Sequence, residues 1–265
     1  MFERQSESGL GLIRIIVIGV FIVLVPVVLI TTTIRVAISE QYIYDYSVKR
    51  YDAHLASEIP EEELLRANGE IHQFLTADYE GHLSIPVRYK DGSVGQLFSA
   101  RETVHMADVR DLVGGMFAVQ IAAIATLLAL AVVMLVMWPP RALAAAALYG
   151  SVLTGGVLAM GGFLVLTGFD AAWSQFHVIA FANDFWELNP NRDHLIQMFP
   201  QAFWERATVA VGGAIVVEAG IIAAGSWLYL FLTRAQPESD LPVKPEPKLP
   251  GAVGHARVSP SDTLN

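Results

Sequence analysis

Four runs of apolar residues dominate the chain. They cover about 13–37 ("IRIIVIGVFIVLVPVVLITTTIRVA"), 113–138, 141–168 and 208–232. Each exceeds the roughly 20 residues a helix needs to cross about 30 Å of hydrocarbon. A helix also satisfies its own backbone groups, as lipid demands. The pattern predicts a membrane all-α protein built as a four-transmembrane-helix bundle. Pro26 inside the first run predicts a kink rather than a break. Ala37-Ile38-Ser39 passes weakly for a signal-peptide cleavage site. The run is longer than a usual signal core and is preceded by acidic as well as basic residues, so a retained span is expected.

Between the runs the periodicity changes. "SEIPEEELLRANGEIHQFL" begins with a polar start and acids, then places Leu64, Leu65, Ile71 and Phe74 at helical spacing. "HLSIPVRYKDGSVGQLF" reads as two strands around an Asp91-Gly92 turn. These predict a small α+β extracytoplasmic cap. Ser99 and Glu102 have capping-box spacing, so a helix starting there can run on into span two. On it, Glu102, His105, Asp108 and Leu112 share one broad face, with His105 about 10 Å above the apolar run. The second outer segment carries Trp173, Phe176, Phe181, Phe185, Trp186, Phe199, Phe203 and Trp204. It reads as an interfacial aromatic belt, with a short helix over about 171–186, a turn at "LNPN" and a second helix leading into span four. The expected division is a tail and first span over 1–37, an extracytoplasmic domain over 38–111, spans two and three over 112–168, an interfacial segment over 169–207, span four over 208–234 and a disordered, proline-rich tail over 235–265.

Composition narrows the function. Apolar residues make up 54%, mean hydropathy is +0.46, and charged residues are only 16%. A net charge of -9 makes nucleic acid an unsuitable partner, since phosphate binding needs a basic surface. The absence of cysteine removes disulfides, thiolate nucleophiles and cysteine metal sites. Arg4, Arg14, Arg141, Arg234, Lys244, Lys248 and Arg257 lie on one side of the predicted spans. The charge rule for short loops then puts both termini in the cytoplasm and segments 38–110 and 169–206 outside.

Several residues could carry chemistry. His105 has acids three positions away on either side, which can hold an imidazole ring or leave it as one member of a solvated cluster. His177 sits among apolar side chains, where burial disfavours imidazolium; it reads as a neutral base or as a core histidine bonded to a carbonyl. Ser174, His177 and Asp184 have the residue types of an acyl-transfer triad, without a nucleophile-elbow pattern. The histidines and acids could hold a metal or a haem, but no metal-binding spacing supports either. Glu218 lies in mid-span, with Gln120 and Thr154 as candidate partners, either lining a polar cavity or bonding helices together. Gly155/Ala159 and Gly220/Ala224 have the small-xxx-small spacing of close helix contacts.

"SARETVHMADVRDL" and "FHVIAFANDFWELNPNRDHLIQMFPQAFW" together resemble the lipoprotein intramolecular transacylase (Lit) family of bacterial integral membrane proteins. The resemblance rests on Glu-x-x-His-Met-x-Asp-Val followed by Phe-His and Asn-Asp-x-Trp, and the four-span layout extends it over most of the chain. It implies an enzyme of the bacterial plasma membrane with its active site on the outer face. Such an enzyme moves the sn-2 acyl chain of a diacylglyceryl-cysteine lipoprotein to that protein's own N-terminal amine, giving a lyso-form lipoprotein. The family's functional histidines fall on His105 and His177. One would be the base, and the other would support the oxyanion or the leaving alkoxide. The acids beside His105 favour it as the base. Glu102, Asp108 and Asp184 would orient rings or substrate, and Asn183 and Arg192 would contact polar parts of the substrate. Partners would be diacylglyceryl-modified lipoproteins and membrane lipids, with no cofactor. A non-enzymatic lipid-binding or assembly protein is the alternative.

Overall fold

In the computed structural model, which describes residues 2–77 and 81–234, the elements in order are α1 (Phe2–Ser39), α2 (Gln41–Arg50), α3 (Ala53–Ala56), α4 (Glu61–Thr76), β1 (Pro86–Arg88), β2 (Val94–Gln96), α5 (Ala100–Met137), α6 (Pro140–Ala180), α7 (His194–Met198) and α8 (Gln201–Leu232). Four of the helices are long and apolar enough to cross a membrane, over Gly11–Ser39, Ala100–Met137, Pro140–Phe163 and Gln201–Leu232. They are the four expected spans. α1 continues through Pro26. It packs against α5, α6 and α8, and α6 also runs along α8. The expected tail, 235–265, lies outside the described residues.

The close helix contact falls at an unexpected glycine. A Cβ on Gly150 would lie 2.7 Å from the Val25 side chain, so only glycine lets α6 approach α1 there. A Cβ on Gly155 or Gly220 would meet nothing within 4 Å, so the small-residue spacings noted at those positions do not mark the tight contact. Below it, Phe21, Val25, Met134 and Ala146 form a small buried cluster.

The cap is as its sequence predicts. Glu61, Glu62 and Glu63 occupy the first turn of α4, where the helix dipole favours anions, and Leu64, Ala67, Ile71 and Phe74 are buried on one face. β1 and β2 pair antiparallel, Val87 opposite Gly95. Gly92 takes the positive φ of 87° that the turn requires, and Ser93 N donates to Asp91 Oδ1 at 2.9 Å. The cap core is not confined to 38–111, because Leu195, Met198, Phe199 and Phe203 are buried with it. A capping box joins Ser99 and Glu102 at the start of α5, as expected.

The second outer segment departs from expectation. No separate helix covers 171–186. α6 runs to Ala180 with a kink at Gly168, and residues 181–193 are irregular. The helix stops because Asn183 turns the chain instead, its Oδ1 accepting from Phe185 N at 3.1 Å. The approach to span four is also divided. α7 ends at Met198, and α8 starts after Pro200, whose ring has no N–H to continue a helix.

The polar contacts of the spans are likewise redistributed. Glu218 pairs with neither Gln120 nor Thr154; its Oε2 accepts from Thr33 Oγ1 at 2.9 Å. Gln120 Oε1 accepts from Arg35 at 3.0 Å, its Nε2 donates to Thr32 at 3.0 Å, and Thr154 bonds back to Gly150 of its own helix. Helical hydropathy alone does not show which faces meet.

Candidate active site

The site begins with two long helices whose cap-side ends meet. His105 lies in the second turn of α5, and His177 in the last turn of α6. Both are only 6% exposed, and their ring centroids are 6.1 Å apart. Their hydrogen bonding differs. His177 Nδ1 lies 2.8 Å from the Trp173 carbonyl oxygen one turn earlier. A carbonyl can only accept, so Nδ1 carries the proton and Nε2 keeps its lone pair. His105 Nδ1 is buried without a hydrogen-bond partner. Burial pushes the His177 imidazole below its ordinary pKa of 6.5, the bond to Trp173 opposing that shift.

Aromatic side chains wall the pair. Trp173, Trp186, Phe176 and Phe181 have ring centroids 4.7, 4.9, 5.1 and 5.6 Å from that of His177. Phe181 also sits edge-on to His105 at 5.1 Å. Trp204 of α8 stacks on Trp173 at 5.1 Å. Of the expected interfacial belt, Phe181 is buried and Trp173 and Trp186 are half-buried against the rings, Phe199 and Phe203 are buried in the cap core, and Phe176 and Trp204 stay exposed. The belt's apolar character was legible in the sequence, but its direction depends on where α6 ends.

The acidic residues hold the segments together rather than the rings. Glu102 is 2% exposed, and its two oxygens accept from Ser99 N and Leu195 N, both at 2.8 Å. It thereby ties the start of α7 to the start of α5. Asp108 accepts from Asn183 Nδ2 at 2.9 Å, tying the irregular segment to the same helix. Neither carboxylate bonds the His105 ring. The oriented ring is His177, and a backbone carbonyl holds it. Asp184 is exposed, its carboxylate 3.8 Å from Arg101, while Arg101 donates to the Asp184 carbonyl. The Asp–His contact of the Ser174 triad is therefore missing. Arg192 is 66% exposed and pairs with Asp193 at 3.3 Å, away from the two rings.

Asp193 was not singled out in the sequence. It is buried, and its Oδ2 accepts from Asn189 N at 2.6 Å, closing the turn before α7. The run "NPNRD" is the turn signal that could have found it. Among the described residues no group of three or more histidines or acids could hold a metal ion.

A family model described as lipoprotein intramolecular transacylase Lit matches residues 19–204. No curated protein matches the chain. The in meso structure of the membrane-integral lipoprotein intramolecular transacylase Lit from Bacillus cereus superposes with a TM-score of 0.71 at 19% identity, over 84% of this chain and 97% of that one. A histidine-to-arginine variant of the same protein gives 0.68 at 18% identity over 87% and 97%, and a histidine-to-alanine variant 0.70 at 18% over 86% and 97%. The likeness to these structures shows that the fold is shared. The match of the family model spans well over half the sequence and includes both histidines; on that ground the chain belongs to the lipoprotein intramolecular transacylase (Lit) family, a family of membrane enzymes.

Proposed function

We propose that the chain transfers the sn-2 acyl chain of a diacylglyceryl-cysteine lipoprotein to that lipoprotein's N-terminal amine, with His177 as base and His105 as donor to the oxyanion. The observation that carries this is the meeting of two buried imidazoles, distant in sequence, at a ring separation of 6.1 Å. Family membership supports the reaction class.

The roles follow from the hydrogen bonds. His177 has its proton fixed on Nδ1, so Nε2 is available to accept one. His105 has no acceptor at Nδ1, and burying an unpaired N–H costs roughly 1–3 kcal/mol. Its proton is therefore better placed on Nε2, where it can be donated to substrate. The rings thus adopt complementary tautomers. In the reaction, the neutral amine attacks the ester carbonyl and His177 Nε2 takes its proton. The developing oxyanion accepts from His105. Collapse of the tetrahedral intermediate breaks the sn-2 ester C–O bond, and His177 returns the proton to the leaving alkoxide. Amine and ester belong to one molecule, so alignment alone supplies an effective molarity of order 10⁵–10⁸ M. No side-chain nucleophile takes part.

Glu102, Asp108 and Asn183 act as positioning residues, through the backbone and side-chain ties above. Asp184 and Arg192 are exposed and would meet the polar part of the substrate or the solvent rather than the rings. The cap faces the outer side of the plasma membrane, with Arg14 and Arg141 at the cytoplasmic end of the bundle, in keeping with the charge bias of the short loops.

Expression in a bacterial host lacking such an enzyme, followed by mass spectrometry of lipoprotein N-termini, tests the reading. The expected product carries one acyl chain on the amine and one on the glycerol. Unchanged diacylglyceryl cysteine with a free amine, from a host that inserts the protein in its membrane, overturns it.

A further inference from the structure

We infer that the aromatic shell around the two histidines decides which nucleophile the ester meets, so that Trp186 and Phe181 are specificity-determining residues that favour amine over water. This rests on the acyl-transfer reading given above.

The base cannot make that choice itself. His177 Nε2 can accept a proton from an amine or from water. With the amine, an N–C bond to the acyl carbon forms and the sn-2 C–O bond breaks. With water, an O–C bond forms at the same carbon and the same C–O bond breaks. In both cases the proton taken by the imidazole passes to the departing alkoxide. The products differ: an N-acyl lyso-lipoprotein in the first case, a free fatty acid and a monoacyl lipoprotein with an unacylated amine in the second. Intramolecular alignment already favours the amine; keeping water from the carbonyl adds to that preference and protects the ester whenever the amine is not aligned.

The surroundings of the pair are suited to that. An ordered water needs two to four polar partners. Trp173, Phe176, Phe181 and Trp186 present ring faces and edges to His177, and among the described residues no side-chain carboxylate bonds either imidazole. Glu102 and Asp108 hold backbone and amide groups of the outer segment. The two imidazoles are nearly closed to solvent. Phe181 is the aromatic residue that touches both, with centroids 5.1 Å from His105 and 5.6 Å from His177.

Phe181 and Trp186 also share an origin. Both belong to the irregular segment between α6 and α7, unlike Trp173 and Phe176, which are on α6 itself. That segment is fixed to α5 by Asn183 on Asp108 and by Arg101 on the Asp184 carbonyl, and just beyond it Leu195 N of α7 bonds Glu102. Burying a carboxylate is costly unless it is well bonded. Holding the hydrophobic half of the shell over the rings gives Glu102 a purpose that orienting His105 does not, because it makes no bond to that ring. The indole of Trp186 lies 4.9 Å from the His177 ring at a tilt of 32°, with its own side chain only partly buried. Its removal opens the site with less disturbance of the cap core than removal of a core residue would cause.

The test uses the full chain in lipid, a synthetic diacylglyceryl-cysteine peptide with a free amine, and mass spectrometry of both acyl products. Wild type is expected to release fatty acid in only a small fraction of turnovers. Trp186→Ala should raise the ratio of fatty acid to N-acyl peptide by about tenfold or more, the low end of what one pocket contact discriminates. Phe181→Leu should move it in the same direction, and Trp186→Phe should restore the wild-type ratio. If Trp186→Ala does not fold, Trp186→Leu takes its place. Comparable amounts of fatty acid and N-acyl peptide from wild type would overturn the inference. So would folded Trp186 and Phe181 variants that cleave no ester, or that transfer with no added fatty acid. Failure of the underlying reading looks different, since wild type would then form no N-acyl peptide at all.

Discussion

At the end of the bundle away from the cap, Phe21, Val25, Met134 and Ala146 are buried among Leu127, Leu130, Leu143 and Ala147, and Gly150 brings two helices together. At the cap end, two histidines and a glutamate are buried instead, bonded to backbone groups or enclosed by aromatic rings. The first arrangement is held by shape: apolar atoms fill space between helices, and any residue of fitting volume would serve. The second buries polar groups, each of which costs free energy unless it is bonded. Such groups are conspicuous because packing alone gives no reason for them. The unbonded Nδ1 of His105 is the clearest case.

Mutations at the two ends should separate chemistry from packing. The largest effect is expected from His177→Ala, which removes the base and should lower acyl transfer by about 10²–10⁴-fold, read as N-acyl product formed per minute by membranes containing equal amounts of protein. Its melting temperature should change little by comparison. A next effect concerns pH. The substrate amine titrates near 7.7–8.0, so the rate of transfer should fall about tenfold per unit as pH drops from there toward 6.5. Burial holds His177 below its ordinary 6.5, so it stays a competent base over that interval. Only below its lowered pKa should a second proton matter and the slope of log rate against pH steepen from one to two. A profile that steepens already above 6.5 would mean that His177 is not the base.

At the end away from the cap, Gly150→Ala should destabilise by about 1–3 kcal/mol, the usual cost of overpacking, because the new Cβ meets Val25. Thermal unfolding in detergent checks this, and transfer by the protein that remains folded should keep its wild-type pH profile. A changed profile would show that the two ends are coupled. The smallest effect should come from Ser174→Ala. With Asp184 turned to Arg101 and His177 bonded to Trp173, the serine has no relay, and transfer should stay within about twofold of wild type. Loss of activity there, measured by the same product assay, would revive an acyl-enzyme.

Much of the fold was readable because membranes enforce simple rules. The four apolar runs, the capping box at Ser99, the amphipathic α4 and the Asp91-Gly92 hairpin each depend on local sequence, and each is present. Both histidines were legible as candidates from their unusual neighbours. The role of the acids was not. Glu102 is three residues from His105 along α5, yet it bonds Leu195, far along the chain. Helix periodicity reports which side chains share a face, but not which other segment that face meets. The same limit explains Glu218, whose partner lies on α1 rather than α5 or α6.

The sequence by itself determined that this chain inserts four helices in a membrane and places a small cap between the first two, because hydropathy and backbone satisfaction in lipid are properties of each segment alone. Tertiary structure decided that His105 and His177 meet, that a carbonyl rather than an acid holds the His177 ring, and that Trp186 and Phe181 turn inward. Those outcomes depend on where α6 stops and on how the segment after it is tied to α5. They are contacts between residues far apart along the chain, and no local pattern encodes them.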